Sequence, residues 1–255
     1  MAFSPDFRTL GARSTTQADV SDAGLRGYML RVYNWMASGL LLTGAVSFGV
    51  AHSSLIDLFY QRVATPTGIA IHPTGLAMLT IFAPLAFVLV LSFGITRLSK
   101  GAAQAIYWLF CLAMGLSLTN IFLIYANESI ARTFFITAGT FAGMSLWGYT
   151  TRTDLTRFGS FLIMGLIGLI LAMVVNIFVH SGMLQFVTSI AGVLIFTGLT
   201  AFDTQRIKST YVQYAYADGP DQAAKRAVYD ALSLFLNFIN LFMMLLQLTG
   251  NRRGN

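Results

Sequence analysis

Seven stretches of this chain run without a single charged side chain: 32–51, 75–95, 102–125, 133–150, 158–179, 183–202 and 231–249. Each has about the 17 to 25 residues that a helix needs to cross a bilayer. Inside hydrocarbon the backbone must satisfy its own polar groups, so repeated segments of this kind are helices. Only 10% of the 255 residues are charged, where a soluble domain carries roughly 25%. The mean hydropathy of +0.68 agrees. These observations predict an all-α integral membrane protein: a polar cytoplasmic tail over 1–30, then one transmembrane domain of seven helices over 31–255. The last stretch carries polar residues on one face, which would also suit a re-entrant or centrally buried helix. No cleavable signal is expected, because the first 30 residues are polar and the first apolar run is long enough to span.

The net charge of +6 does not indicate nucleic acid, since the basic residues are scattered through short loops with no stripe interleaved with aromatics. They report topology instead. With the N-terminus cytoplasmic, the inner loops hold Arg8, Arg13, Arg26, Arg31, Arg97, Lys100, Arg152, Arg157, Arg206, Lys208, Lys225 and Arg226, twelve of the 16 Lys and Arg. Arg62 and Arg132 lie outside, and Arg252 and Arg253 argue mildly against a complete last crossing. Gly139 with Gly143, Gly165 with Gly168, and Gly39 with Thr43 are read as close-packing positions between helices. Pro84 is expected to kink the second span. A single cysteine, Cys111, excludes an intramolecular disulfide and is read as a packing residue. His52, His72 and His180 are too scattered for a metal site. The segment 206–228 reads as a polar inner loop turning at Asp218, Gly219 and Pro220, and 52–74 as the longest outer loop.

The chemistry centres on Asp203, at the end of the sixth stretch. A carboxylate facing lipid at full depth costs about 2 to 3 kcal/mol, so its partners are sought inside the bundle. Asp230, Ser233, Asn237 and Asn240 share one side of the last helix by spacing, and that face is predicted to look at Asp203. Two readings follow. Asp203 is a cation or proton site, since Asn and Ser oxygens suit hard cations, or it is a carboxylate neutralised by Arg206 or Lys208 one turn on. An enzyme is not expected. Ser145 in GMSLWG and His180 echo an intramembrane serine protease, but Leu146 replaces the second glycine that its GxSG turn requires, and GLSLTN around Ser117 repeats the pattern.

The segments YNWMASGLLLTG (Tyr33 to Gly44), MGLSL (Met114 to Leu118), GMSLWGYTTRTDL (Gly143 to Leu155), GLTAFDTQRIK (Gly198 to Lys208) and ALSLFLNFINLF (Ala231 to Phe242) resemble the transmembrane Bax inhibitor motif family, in particular its bacterial inner-membrane branch. The resemblance implies six helices wrapped around a central C-terminal one, an inner-membrane location, and a pH-sensitive calcium leak with no cofactor. It also implies a pair of aspartates that gates the pore and a basic latch at the end of the second helix. Asp203 matches the first aspartate and the possible calcium ligand, and Arg97 is the candidate latch. The second aspartate is Asn237 here. Two adjacent carboxylates share a proton because both cannot easily ionise. Asn237 removes that repulsion and offers an amide donor to the carboxylate, so pH gating should be weakened. The alternative is a non-conducting regulator that binds another membrane protein, such as a quality-control protease. The partners expected are the lipid bilayer, calcium and that second membrane protein.

Overall fold

The computed structural model describes residues 7–65, 68–94, 97–214 and 219–253, with side chains described for all of these except 7–21, 62–71 and 220. Residues 1–6 of the expected tail and Asp218 of the expected turn lie outside the described residues. The elements in chain order are α1 (Phe7–Ala51), α2 (Ile56–Phe59), β1 (Tyr60–Thr65), β2 (Gly68–Pro73), α3 (Gly75–Gly94), α4 (Lys100–Leu118), α5 (Ile121–Ile124), α6 (Asn127–Thr150), α7 (Thr156–Val179), α8 (Gly182–Tyr214) and α9 (Pro220–Thr249).

Among the described residues six helices are long and apolar enough to cross a membrane, within α1, α3, α4–α5, α7, α8 and α9. The segment that falls short is α6, not the last one. Its 24 residues match its neighbours in length, but Glu128, Arg132 and several hydroxyl side chains dilute its apolar character. The third apolar stretch is broken at Thr119 and Asn120, between α4 and α5. The segment expected as the longest outer loop folds locally: β1 and β2 form an antiparallel hairpin, and Phe59 and Tyr60 pack with Val50 and Ala77.

Helices also extend beyond the apolar runs. Segment 206–228, expected as a loop, is helical at both ends, because α8 continues to Tyr214 and α9 begins at Pro220. Proline suits that first position, where its missing N–H has no helical partner to lose. Hydropathy reports the part of a helix that suits lipid, while the hydrogen-bonded helix continues into water. Residues 22–30 belong to α1, and Leu25, Tyr28 and Met29 are buried in the main core, so the bundle starts before residue 31.

Helix α9 is the most buried of the six apolar helices. Leu234, Phe235, Leu241 and Leu246 on it are fully buried. It is ringed directly by α1, α4, α6 and α8 rather than by six helices. Helix α3 packs chiefly on α4 and α7 on α8, forming an outer layer. The glycines that set this packing are not the GxxxG pair. Gly139 and Gly143 have open space beside them, whereas Gly148 lies against the Ala201 backbone, Gly115 against that of Thr43 and Gly192 against Met244. Gly39, as expected, is a tight position, with Tyr107 and Cys111 against it.

Two ends of the bundle are defined by contacts. At one end Tyr28 stacks on Tyr211, Lys100 pairs with Asp221 at 3.5 Å, and Gln205 joins Thr153 and Leu155. At the other, Tyr125 bridges Arg252, Arg253 donates to Asn127 at 2.8 Å, and Ser189 donates to Gln247 at 3.0 Å. The start of α9 and the C-terminal residues therefore lie at opposite ends.

Candidate functional site

Helices α8 and α9 are antiparallel neighbours, and the carboxylate of Asp203 lies between them. It is well inside a continuous helix rather than at its end, and the residue is 8% exposed. Arg206, one turn on, places Nε 3.0 Å and Nη2 2.9 Å from Oδ1. From α9, Ser233 donates to Oδ2 at 3.0 Å and the Asn237 amide donates to Oδ2 at 2.7 Å. Arg206 Nη2 also donates to Ser233 Oγ at 3.2 Å, which closes the ring. Both oxygens of Asp203 are thus occupied. A charge placed in low dielectric is tolerable when it is paired and its lone pairs are filled, and this one is.

The residues singled out by spacing separate in the structure. Ser233 and Asn237 meet Asp203, and Arg206 rather than Lys208 supplies the cation. Lys208 instead donates to the Tyr149 carbonyl at 2.8 Å and lies over its ring. Asp230 shares the buried face of α9 but accepts the Tyr28 hydroxyl from α1 at 2.7 Å. Asn240 turns back on its own helix, donating to Leu236 O at 2.9 Å. Spacing assigns a face of about a third of the helix, and these residues occupy different edges of it. Arg97 is exposed in the α3–α4 turn, and no hydrogen bond or ion pair joins its side chain to Asp203. The turn meets α9 instead, where the Leu98 carbonyl accepts Lys225 Nζ at 3.3 Å.

A second shell was not apparent in the spacing. The Tyr33 hydroxyl is bonded to Ser145, and Ser145 in turn lies 2.9 Å from Thr204, which donates to Thr200 O. This chain ties α1 and α6 to the helix that carries Asp203. The signal that could have revealed it is the pairing of small and hydroxyl residues in Ser145-Leu-Trp-Gly148, since Gly148 lets α6 approach the backbone just before Asp203. Ser145 is fully engaged there. His180 is exposed at the opposite end, its Nδ1 within 3.2 Å of Phe178 O, so the two never meet.

Two cavities adjoin the site. One, of about 280 Å³, opens at the α8–α9 end beside Arg206, Lys225, Arg226 and Asp230. The other is an apolar groove of about 570 Å³ between α1 and α6, with Phe238 of α9 and Ser145 in its wall and Arg26 at one end. Among the described residues no three His, Cys, Asp or Glu side chains come together. A hard cation at Asp203 would therefore rely on one carboxylate with hydroxyl and amide oxygens, and Arg206 would have to withdraw from Oδ1 to admit it. The donor chemistry fits a weak, exchangeable oxygen site rather than a resident metal.

Comparison with known proteins agrees with this architecture. Residues 25–254 match the family described as "Inhibitor of apoptosis-promoting Bax1", a match that begins where the buried part of α1 begins. The chain is 45% identical to a Caulobacter vibrioides protein, over 97% of this chain and 99% of that protein. It is 44% identical to the inner membrane protein YbhL of Escherichia coli strain K12, over 91% and 94% respectively. A membrane protein of Streptococcus pyogenes is 31% identical over 90% and 95%.

Proposed function

The chain belongs to the Bax inhibitor family of membrane proteins, and on that premise we propose that it is a calcium leak channel whose gate is the Arg206–Asp203 pair. The observation that carries this reading is a carboxylate within the bundle, held by a cation from its own helix and by two neutral donors from α9. An ionisable group at such a position is the usual mark of an ion path. With Arg206 in place the negative charge is balanced, and a divalent ion gains little there. With Arg206 withdrawn, Asp203 Oδ1 faces the cavity at the α8–α9 end. Asn237 stands where a second acid would share a proton, so the leak depends on pH only weakly. We further infer seven crossings, with α6 the least apolar of them, a cytoplasmic N-terminus and residence in the inner membrane. Support comes from the excess of basic residues at the end that carries Tyr28, and from YbhL, an inner membrane protein.

The test is calcium entry into proteoliposomes holding the purified protein. Entry is expected for this chain and should be lost in Asp203→Ala; unchanged entry in that variant would overturn the reading. A second reading is favoured by Gly139 and Gly143, whose exposed face has room for another helix. There the protein is a regulator that docks on a second membrane protein. An inert bilayer, together with a partner that co-purifies in a Gly139-dependent way, supports the regulator.

A further inference from the structure

The cavity at the α8–α9 end has a charge pattern that the leak does not require. Three cations, Arg206, Lys225 and Arg226, line its roughly 280 Å³ with a single carboxylate, Asp230. Asp230 already accepts the Tyr28 hydroxyl at 2.7 Å. Lys225 is buried, 9% exposed, and its ammonium reaches only the Leu98 carbonyl, 3.3 Å away. The ion pairs among the described residues are Lys100–Asp221 and Arg206–Asp203, and among these residues no carboxylate pairs with Lys225. Arg226 lies with its guanidinium 4.7 Å over the Tyr214 ring, held at the same mouth. A buried ammonium held by a neutral carbonyl is costly, and three cations around one carboxylate leave the cavity with an excess of positive charge that attracts an anion. It also repels a divalent cation that approaches Asp203 from this end.

We propose that this cavity binds a phosphate group, and that the bound group draws Arg206 away from Asp203. Arg presents planar N–H pairs that match phosphate oxygens, and Lys adds a point charge, so the lining suits a tetrahedral dianion. Tyr229 and Gln222 on the same wall add polar groups that can reach its remaining oxygens. Arg206 is common to both sites. Its two nitrogens now rest on one oxygen of a singly charged carboxylate, and a dianion beside Lys225 and Arg226 competes for them. When Arg206 turns outward, Asp203 keeps only Ser233 and Asn237 on Oδ2, and Oδ1 becomes free for a cation. The anion also neutralises the basic mouth. This coupling rests on the leak reading of Asp203, whereas the phosphate site does not.

Binding is tested first, on purified full-length protein in detergent without calcium. Inorganic phosphate, compared with chloride at matched ionic strength, is expected to raise the unfolding midpoint by about 3 °C, as a ligand that favours the folded state must. Arg226→Gln and Lys225→Gln should each lose most of that shift. If Lys225→Gln does not fold, Arg226→Gln alone decides, since its site is less buried. An equal shift in Arg226→Gln would overturn the site. Nanodiscs containing phosphatidate, compared with phosphatidylcholine alone, distinguish the source. Stabilisation by phosphatidate without an effect of free phosphate assigns a lipid headgroup, and the reverse assigns a soluble phosphate; the absence of both overturns the proposal. Coupling is tested by calcium entry at micromolar calcium. Phosphate should raise entry about threefold in this chain and leave Arg226→Gln unchanged, a population shift set by differential affinity. Binding without any calcium entry removes the leak reading and leaves the phosphate site standing, while entry that phosphate does not alter overturns the coupling.

Discussion

The Asn237 amide donates to Asp203 Oδ2 across 2.7 Å, joining the most buried helix of the bundle to the only carboxylate in the middle of α8. A charge-assisted bond of this kind contributes about 1.5 to 3 kcal/mol. It also holds the carboxylate in register with Ser233, one turn earlier on α9. The bond occupies the place where the family resemblance implies a second aspartate, so a neutral donor performs the positioning that a shared proton would otherwise perform.

Asn237→Asp restores two facing acids, with Arg206 the cation that touches Asp203 and Asp230 two turns away on α9. Like-charge repulsion then makes the pair hold a proton to higher pH than a lone carboxylate does. A native state that binds more protons than the unfolded chain loses stability as pH rises, so this variant should melt earlier at high pH than at low pH in calcium-free buffer. Calcium entry measured between about pH 6 and 8, the range into which such pairs are tuned, should rise more steeply with pH in the variant than in this chain. Superimposable profiles would remove Asn237 from the gate.

Arg206→Gln keeps a donor of similar reach but removes the charge. Asp203 is then left without a cation, and entry of calcium should increase several-fold. The Arg206 side chain is 35% exposed, so solvent compensates part of the loss, and the cost in stability should be about 1.5 kcal/mol, the low end for a bond to a charged group. Arg206→Lys should fall between the two. A decrease in entry with Arg206→Gln would show that the arginine belongs to the path rather than to its closure.

Gly148 and Gly139 lie on the same helix with opposite surroundings. A Cβ at Gly148 meets the Ala201 backbone, which cannot yield as a side chain does, while Gly139 has nothing beside it. Gly148→Ala should therefore cost about 1 to 3 kcal/mol by forcing α6 off α8. Gly139→Ala should be neutral or stabilise by up to about 1 kcal/mol through helix propensity. Thermal unfolding of both variants in one detergent makes the comparison.

Tyr28→Phe removes the donor to Asp230 and leaves a buried carboxylate short of a partner. A loss of about 1 to 3 kcal/mol is expected. Asp230→Asn in the same background should recover part of it, because the neutral amide is cheaper to bury. If Tyr28→Phe melts with this chain, residues before 31 do not contribute to the bundle.

The membrane class, the helical content and a carboxylate at Asp203 that must find partners inside the bundle were legible in the order of residues alone. Charge and apolarity act locally there: a segment free of charge for 20 residues has few alternatives in lipid, and a carboxylate at its edge stands out against that background. The face shared by Ser233 and Asn237 was legible for the same reason, since helical spacing is a local property. What the spacing could not supply was which neighbour each residue meets. Asp230 and Asn240 share a stripe with Asn237, yet one faces α1 and the other its own backbone. Gly139 and Gly143 carry the packing motif and face open space, while Gly148, outside the motif, carries the contact. Arg206 and Lys208 both follow Asp203 closely in the sequence, and only the packing of α6 on α8 decides that Lys208 turns to the Tyr149 carbonyl and leaves Arg206 on the carboxylate. Periodicity fixes a direction around one helix axis, but the rotation and distance of the neighbouring axes arise from packing over the whole bundle. The site is made by that packing.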